Sequence, residues 1–137
     1  MPSLCILTDN TAQLSNGTFP GKHLIKTFAL RVENRLLCAP TVDDFLRAFR
    51  KMEHEFDCVL VLTISRHLLP VADIARAAAA QHGGKVSISV LDSLQTGAGL
   101  GMLVQIGAQA AAAGYPLAEV EERIRAAIPH IYTLIHA

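Results

Sequence analysis

The run Cys58-Val59-Leu60-Val61-Leu62-Thr63-Ile64 is apolar without alternation. A strand with one face in water alternates apolar and polar positions, so an unbroken run is expected of a central strand covered on both faces. That condition is met by a parallel sheet lying between two layers of helices. Other segments have the same β character: Leu4 to Thr8 reads as a first strand, and Lys85 to Leu91 as the one after the central run. His23 to Val32 reads as a second, with His23, Ile25, Thr27 and Ala29 on one face, and Ile131-Tyr132-Thr133-Leu134-Ile135 as a last. Asn16-Gly17 and Pro20-Gly21 mark the loop between the first two.

Helical patterns fill the intervals. Thr41 is a predicted N-cap with Asp44 three residues on, and Val42, Phe45, Leu46, Phe49 and Met52 share one helical face. Pro70 suits the first position of a helix reaching about Gln81 and closed by Gly83-Gly84. A long helix of small residues spans about 95–113 and stops at Gly114. Pro116 opens another, to about Ile128, with Leu117, Val120, Ile124 and Ile128 inward, and Pro129 is expected to break it. Strands alternating with helices imply right-handed βαβ units. The expectation is a single α/β domain over residues 1–137, with a mainly parallel four- to five-stranded sheet and helices on both faces. In the small-residue helix, Gly97, Gly99, Gly101 and Gly107 each cost about 1 kcal/mol relative to Ala. Close approach of the helix to the sheet, or to a ligand, would offset that.

Composition narrows the function. Lys plus Arg and Asp plus Glu number 12 each, a balance that argues against nucleic acid and against anionic membrane surfaces as partners. No apolar run approaches the ~20 residues of a membrane span. The amino terminus enters a strand without a signal-peptide pattern, so a cytoplasmic address is expected. Cys5, Cys38 and Cys58 lack metal-type spacing, and Cys5 and Cys58 fall in strands where a thiol is an inert apolar group. His130 and His136 would share a strand face but lack a third ligand, so no metal is expected. There is no phosphate-cradling glycine loop and no nucleophile elbow, hence no cofactor and no enzyme reading.

The candidate site residues are Asp9, Asn10, Thr11, Ser65, Asp92 and Ser93, all at or just past the carboxyl ends of strands. Open α/β sheets bind ligands outside those ends, where the strand order reverses. Two readings stand side by side. The six orient a ligand head group, or Asp9 and Asp92 close turns while Ser65 and Ser93 satisfy local backbone groups. His67, next to Arg66 at the same edge, either meets an anion or is solvated. Acid–base chemistry by Asp9 or Asp92 is a third, less supported reading.

Three segments in order carry a family resemblance. Leu4 to Gln13 resembles the opening Thr-Asp-Ser-Thr-Ala-Asp element of the DegV family, and Val59 to Ala75 resembles its strand ending Ile-Ser and entering a helix. Val90-Leu91-Asp92-Ser93 followed by Gly99-Leu100-Gly101 resembles its Asp-Ser and Gly-Leu-Gly signature. The resemblance implies non-enzymatic binding of a fatty acid or similar amphiphile, and a kinase partner that acts on the bound acid. It implies an apolar tail between helices, with Asp9, Asn10 and Ser93 near the head. Family members have two domains, and this chain is similar to the amino-terminal one. It departs from the pattern at two places. Leu37-Cys38-Ala39-Pro40-Thr41 stands where the family has Thr-Ser-Gln-Pro-Ser, and Leu69-Pro70-Val71 where it has Ser-Gly-Thr. Those hydroxyls hold the acyl carboxylate in the family. The N–H groups of Val71 and Ala72, with the helix dipole, are what this chain offers in their place. The segment before the first helix is also shorter than the family's lid-like excursion. The alternative is a domain without ligand that acts in homo-oligomerisation or partner binding, through a face left uncovered.

Overall fold

A computed structural model gives the backbone of residues 3–136 and the side chains through Ile131. The unbroken aliphatic run becomes strand β5, Cys58–Thr63, inside a parallel sheet. The others are β1, Leu4–Asp9, β2, Ile25–Phe28, and β6, Ser87–Asp92, and the order across the sheet is β2-β1-β5-β6. A separate antiparallel hairpin, β3 (Arg31–Glu33) and β4 (Leu36–Cys38), follows β2. Asn34 and Arg35 at its tip both have positive φ, 50° and 66°, as a two-residue hairpin turn requires.

Four α-helices complete the element list: α1, Val42–Met52, α2, Val71–Gln81, α3, Gly97–Ala112, and α4, Leu117–His136. They form two layers. On one face Cys5, Leu7, Val59 and Val61 pack with Phe45, Phe49, Val71 and Ala75 of α1 and α2. On the other, Leu4, Ile6, Leu60 and Leu62 pack with Leu100, Leu103, Val120 and Ile124 of α3 and α4. The period-2 alternation of strand side chains assigns each residue to one of these layers. Thr41 caps α1 as expected: its hydroxyl accepts from Asp44 N at 3.1 Å, and Asp44 Oδ2 accepts from Thr41 N at 2.9 Å. That second bond, more than any neighbouring charge, holds the Asp44 carboxyl below its ordinary range.

Several boundaries differ from the sequence expectation, each for a physical reason. Residues 131–135 are not a fifth strand; they continue α4, which runs through Pro129. Ile131 is buried and joins the cluster of Val120 and Ile124, so it extends the apolar face of the helix and tertiary packing overrides local β propensity. His130 is therefore helical, and the side chain of His136 lies outside the described residues. The predicted strand His23–Val32 is divided. Gly21, at φ 89°, opens a 3-10 turn over Lys22–Leu24, and pairing with β1 runs only from Ile6↔Ile25 to Asp9↔Phe28. β1 ends at Asp9, so the ladder ends at Phe28. Gly83 and Gly84 do not supply a left-handed cap, since α2 closes on an extended His82. Cys58, the first residue of β5, is half-buried rather than enclosed.

Two glycines of α3 answer to close packing. A Cβ at Gly101 would lie 1.9 Å from Gln13 O, and one at Gly107 would lie 2.8 Å from Ile124 Cδ1. The loop after β1 thus rests directly on the α3 backbone. No helix among the described residues is long and apolar enough to cross a membrane.

Candidate functional site

From β1 the chain moves outward to β2, then returns past β1 to build β5 and β6. The reversal places a crevice at the carboxyl ends of β1 and β5, the position where open α/β sheets admit ligands. The exits of β1, β5 and β6 line it, and all six candidate residues lie there.

Asp9 is fully buried. Its Oδ1 accepts from Thr11 N at 2.8 Å and from Thr11 Oγ1 at 2.5 Å, while Oδ2 accepts from Ile64 N at 3.2 Å. A buried carboxylate needs such donors, because leaving the charge unpaired costs several kcal/mol. Asp9 therefore closes its own turn and clamps the exit of β5. Asn10 points the other way: its Oδ1 accepts from Leu30 N at 3.1 Å, which anchors the base of the hairpin.

The β5 and β6 exits are laced in the same manner. Ser65 N donates to Gln95 O at 2.9 Å, and Ser65 Oγ accepts from His67 N at 3.2 Å. Asp92 Oδ2 accepts from Arg66 N at 3.2 Å and Oδ1 from Leu94 N at 2.9 Å. The buried Ser93 hydroxyl bonds to both N and O of Gln95. Gln13 N donates to Gly97 O at 3.0 Å, bringing the loop after β1 onto the start of α3. The segments following β1 and β6 thus meet at one edge of the sheet. There, Asp9 and Asp92 hold turns, and Ser65 and Ser93 serve local backbone groups.

Sequence reasoning passed over Gln95, Thr96 and Gln13. Their position just before a helix is a signal for the first two, because an N-cap residue faces whatever lies at the strand ends. Among the described residues, three buried side-chain atoms have no hydrogen-bond partner, and all belong to residues at this edge: Thr8 Oγ1, Thr63 Oγ1 and Gln95 Nε2. The amino end of α2 offers less than its sequence suggests. Val71 N donates to Leu69 O at 2.9 Å, and the Val71 side chain is buried.

Apolar surface gathers around the same edge. Among the described residues the large hydrophobic side chains that remain exposed include Val32, Leu36 and Leu37 on the hairpin, Leu68 after β5 and Leu94 after β6. By contrast, a cavity of about 440 Å³ lined by Leu4, Cys58, Ala111, Tyr115 and Leu117 opens at the amino ends of the strands. It lies at the opposite end of the strands from the polar residues. Among the described residues no group of His, Cys, Asp and Glu could hold a metal ion.

A family model described as uncharacterised protein, DegV family, matches residues 24–137. The chain belongs to the DegV family. The match begins beyond the Leu4–Gln13 element, so the DegV assignment does not rest on the Asp9 turn. Solved structures share the fold. A Thermotoga maritima protein described as revealing fatty acid binding function superposes with TM-score 0.78 at 20% identity, over 94% of this chain and 56% of that one. DegV of Bacillus subtilis, a fatty acid binding protein, gives 0.79 at 13% identity, over 94% and 55%. The fatty acid kinase B3 protein of Streptococcus pneumoniae, loaded with linoleic acid, gives 0.72 at 19% identity, over 93% and 54%. The chain spans about half the length of these proteins. No curated protein sequence matches it.

Proposed function

We propose that this DegV domain binds a fatty acid at the carboxyl edge of its sheet, without catalysing a reaction. One observation carries the reading: the polar residues at the exits of β1, β5 and β6 stand at the same end of the sheet as exposed Val32 and Leu37, which share one face of the hairpin, and exposed Leu68 and Leu94. Water-soluble proteins rarely spend apolar surface in one place without a partner for it. An amphiphile fits both parts, its tail against the apolar side chains and its head toward the polar residues. Similarity to proteins named for fatty acid binding supports the ligand class. Similarity to a fatty acid kinase B3 protein supports a kinase that meets the bound acid in the cytoplasm. In this reading Asn10, Thr11, Ser65 and Ser93 lie on the segments around the head, and Asp9 and Asp92 fix the turns that carry them.

Native mass spectrometry of the purified protein, followed by organic extraction, tests this. Acyl chains in the extract, or a mass shift on adding oleate, are expected. A clean apo mass that oleate leaves unchanged overturns the proposal.

The same apolar surface supports a second reading, in which a copy of the chain covers it. Light scattering on a sizing column distinguishes the two: a strict monomer at high micromolar concentration removes the self-association reading.

A further inference from the structure

We infer that the amino end of α3, together with Gln95 and Thr96, is an anion-binding subsite of this crevice. The identification of its ligand as a carboxylate rests on the lipid reading; the site itself does not.

Two helices present their amino ends to the crevice, and they differ. At α2 the N-cap is Pro70, the first N–H is spent on Leu69 O, and the aliphatic Val71 and Ala72 fill the space. At α3 the N-cap is Thr96, whose side chain does not cap the helix. Its hydroxyl instead donates to Thr11 Oγ1 at 3.1 Å. The first helical turn closes with Leu100 N on Thr96 O at 3.4 Å, so the N–H groups of Ala98 and Gly99 have no acceptor among the described residues. Those N–H groups and the positive end of a helix spanning Gly97–Ala112 favour negative charge.

The independent observation is Gln95. The residue is only 6% exposed, its backbone N and O are engaged by Ser93 and Ser65, and its amide Nε2 is buried with no partner. An unsatisfied buried donor costs about 1–3 kcal/mol, so a fold that keeps one beside an uncapped helix end lacks an acceptor there. Thr8 Oγ1, on the α3 face of β1 at the same edge, is likewise buried and unpartnered. The two carboxylates nearby do not fill the role. Asp9 is saturated by Thr11 and Ile64, and Asp92 by Arg66 N and Leu94 N. The Arg66 side chain is exposed at this rim and makes no ion pair among the described residues, adding a positive charge at the entrance. A carboxylate or a phosphate would receive donors from Gln95 Nε2 and the first turn of α3, in place of the hydroxyls that α2 lacks; the Thr96 hydroxyl proton stays on Thr11.

The test is an NMR titration of labelled protein with sodium octanoate, inorganic phosphate and 1-octanol, following the Gln95 side-chain NH2 and the Ala98 and Gly99 amides. Octanoate is expected to move these signals and octanol to leave them in place. Gln95→Leu is expected to weaken octanoate by at least about tenfold, as loss of a charge-assisted hydrogen bond should. Gln95→Met, close to glutamine in shape but without the amide donor, gives the same readout should the Leu variant not fold. Octanoate that moves Leu69–Ala72 instead, with undiminished affinity in the variants, overturns the subsite and leaves lipid binding standing. Phosphate that moves the α3 signals where octanoate does not keeps the subsite and removes the lipid reading. Equal response to octanoate and octanol, or no response to either anion, overturns the subsite.

Discussion

The hydroxyls of Thr11 and Thr96 meet at 3.1 Å, although 85 positions separate them in the chain. Thr96 donates, and the Thr11 hydroxyl in turn donates to Asp9 Oδ1 at 2.5 Å. The relay joins the exits of β1 and β6, strands that are not neighbours because β5 lies between them. It gives the crevice a floor that spans three strands.

Asp9→Ala should destabilise the domain by about 2–4 kcal/mol, because it strands the Ile64 and Thr11 N–H groups in a buried setting. Asp9→Asn keeps an acceptor for Ile64 and should cost less. Urea unfolding of the two variants beside the parent checks the order.

Gly101→Ala should destabilise, against the helix-propensity gain of about 1 kcal/mol that the change ordinarily brings. The added Cβ would fall 1.9 Å from the carbonyl oxygen of Gln13, and backbone cannot yield as a side chain can. The loop over α3 must lift, so thermal denaturation should show a lower Tm and the Gln13 amide should lose exchange protection.

Acid should weaken the bridge between the ends of α1 and α2. Glu53 Oε1 lies 2.6 Å from His82 Nε2, and this hydrogen bond is the main reason the Glu53 carboxyl is held below its ordinary value of 4.5. A folded-state pKa depressed in this way contributes stability above the unfolded value and loses it as pH falls through the folded one. Stability measured from about pH 6 to pH 3 should therefore drop less steeply in Glu53→Gln than in the parent.

The three thiols should separate in a modification assay. Burial pushes the Cys5 thiol up to about 12, and burial also raises Cys58, though less. A thiol-specific reagent at pH 8 should modify Cys38 first and Cys58 more slowly. Cys5 should react only on unfolding.

Much of this architecture was legible in the chain itself. β5 was, because a strand buried on both faces has no period to obscure it, and so was α1, because Thr41 and Asp44 make a reciprocal cap within four residues. What failed were places where distant contacts decide. Ile131–Ile135 is rich in β-forming residues and follows a proline, yet packing of Ile131 beside Ile124 carries the helix on. β2 stops at Phe28 because its partner strand stops, which no local signal in residues 23–32 encodes. The strand ends were legible, and so were the polar residues that follow them. Gln95 escaped notice because a glutamine between a serine and a threonine looks like ordinary loop, and only burial makes its amide conspicuous.

The β3–β4 hairpin forms its own two-stranded sheet, tied to the main body through the Asn10–Leu30 hydrogen bond at its base rather than through a shared ladder. Its outward side chains, Val32 and Leu36, can therefore be exchanged with little effect on folding. If the hairpin borders a bound acyl chain as proposed, variation there retunes which chain is accepted while the layers beneath stay constant.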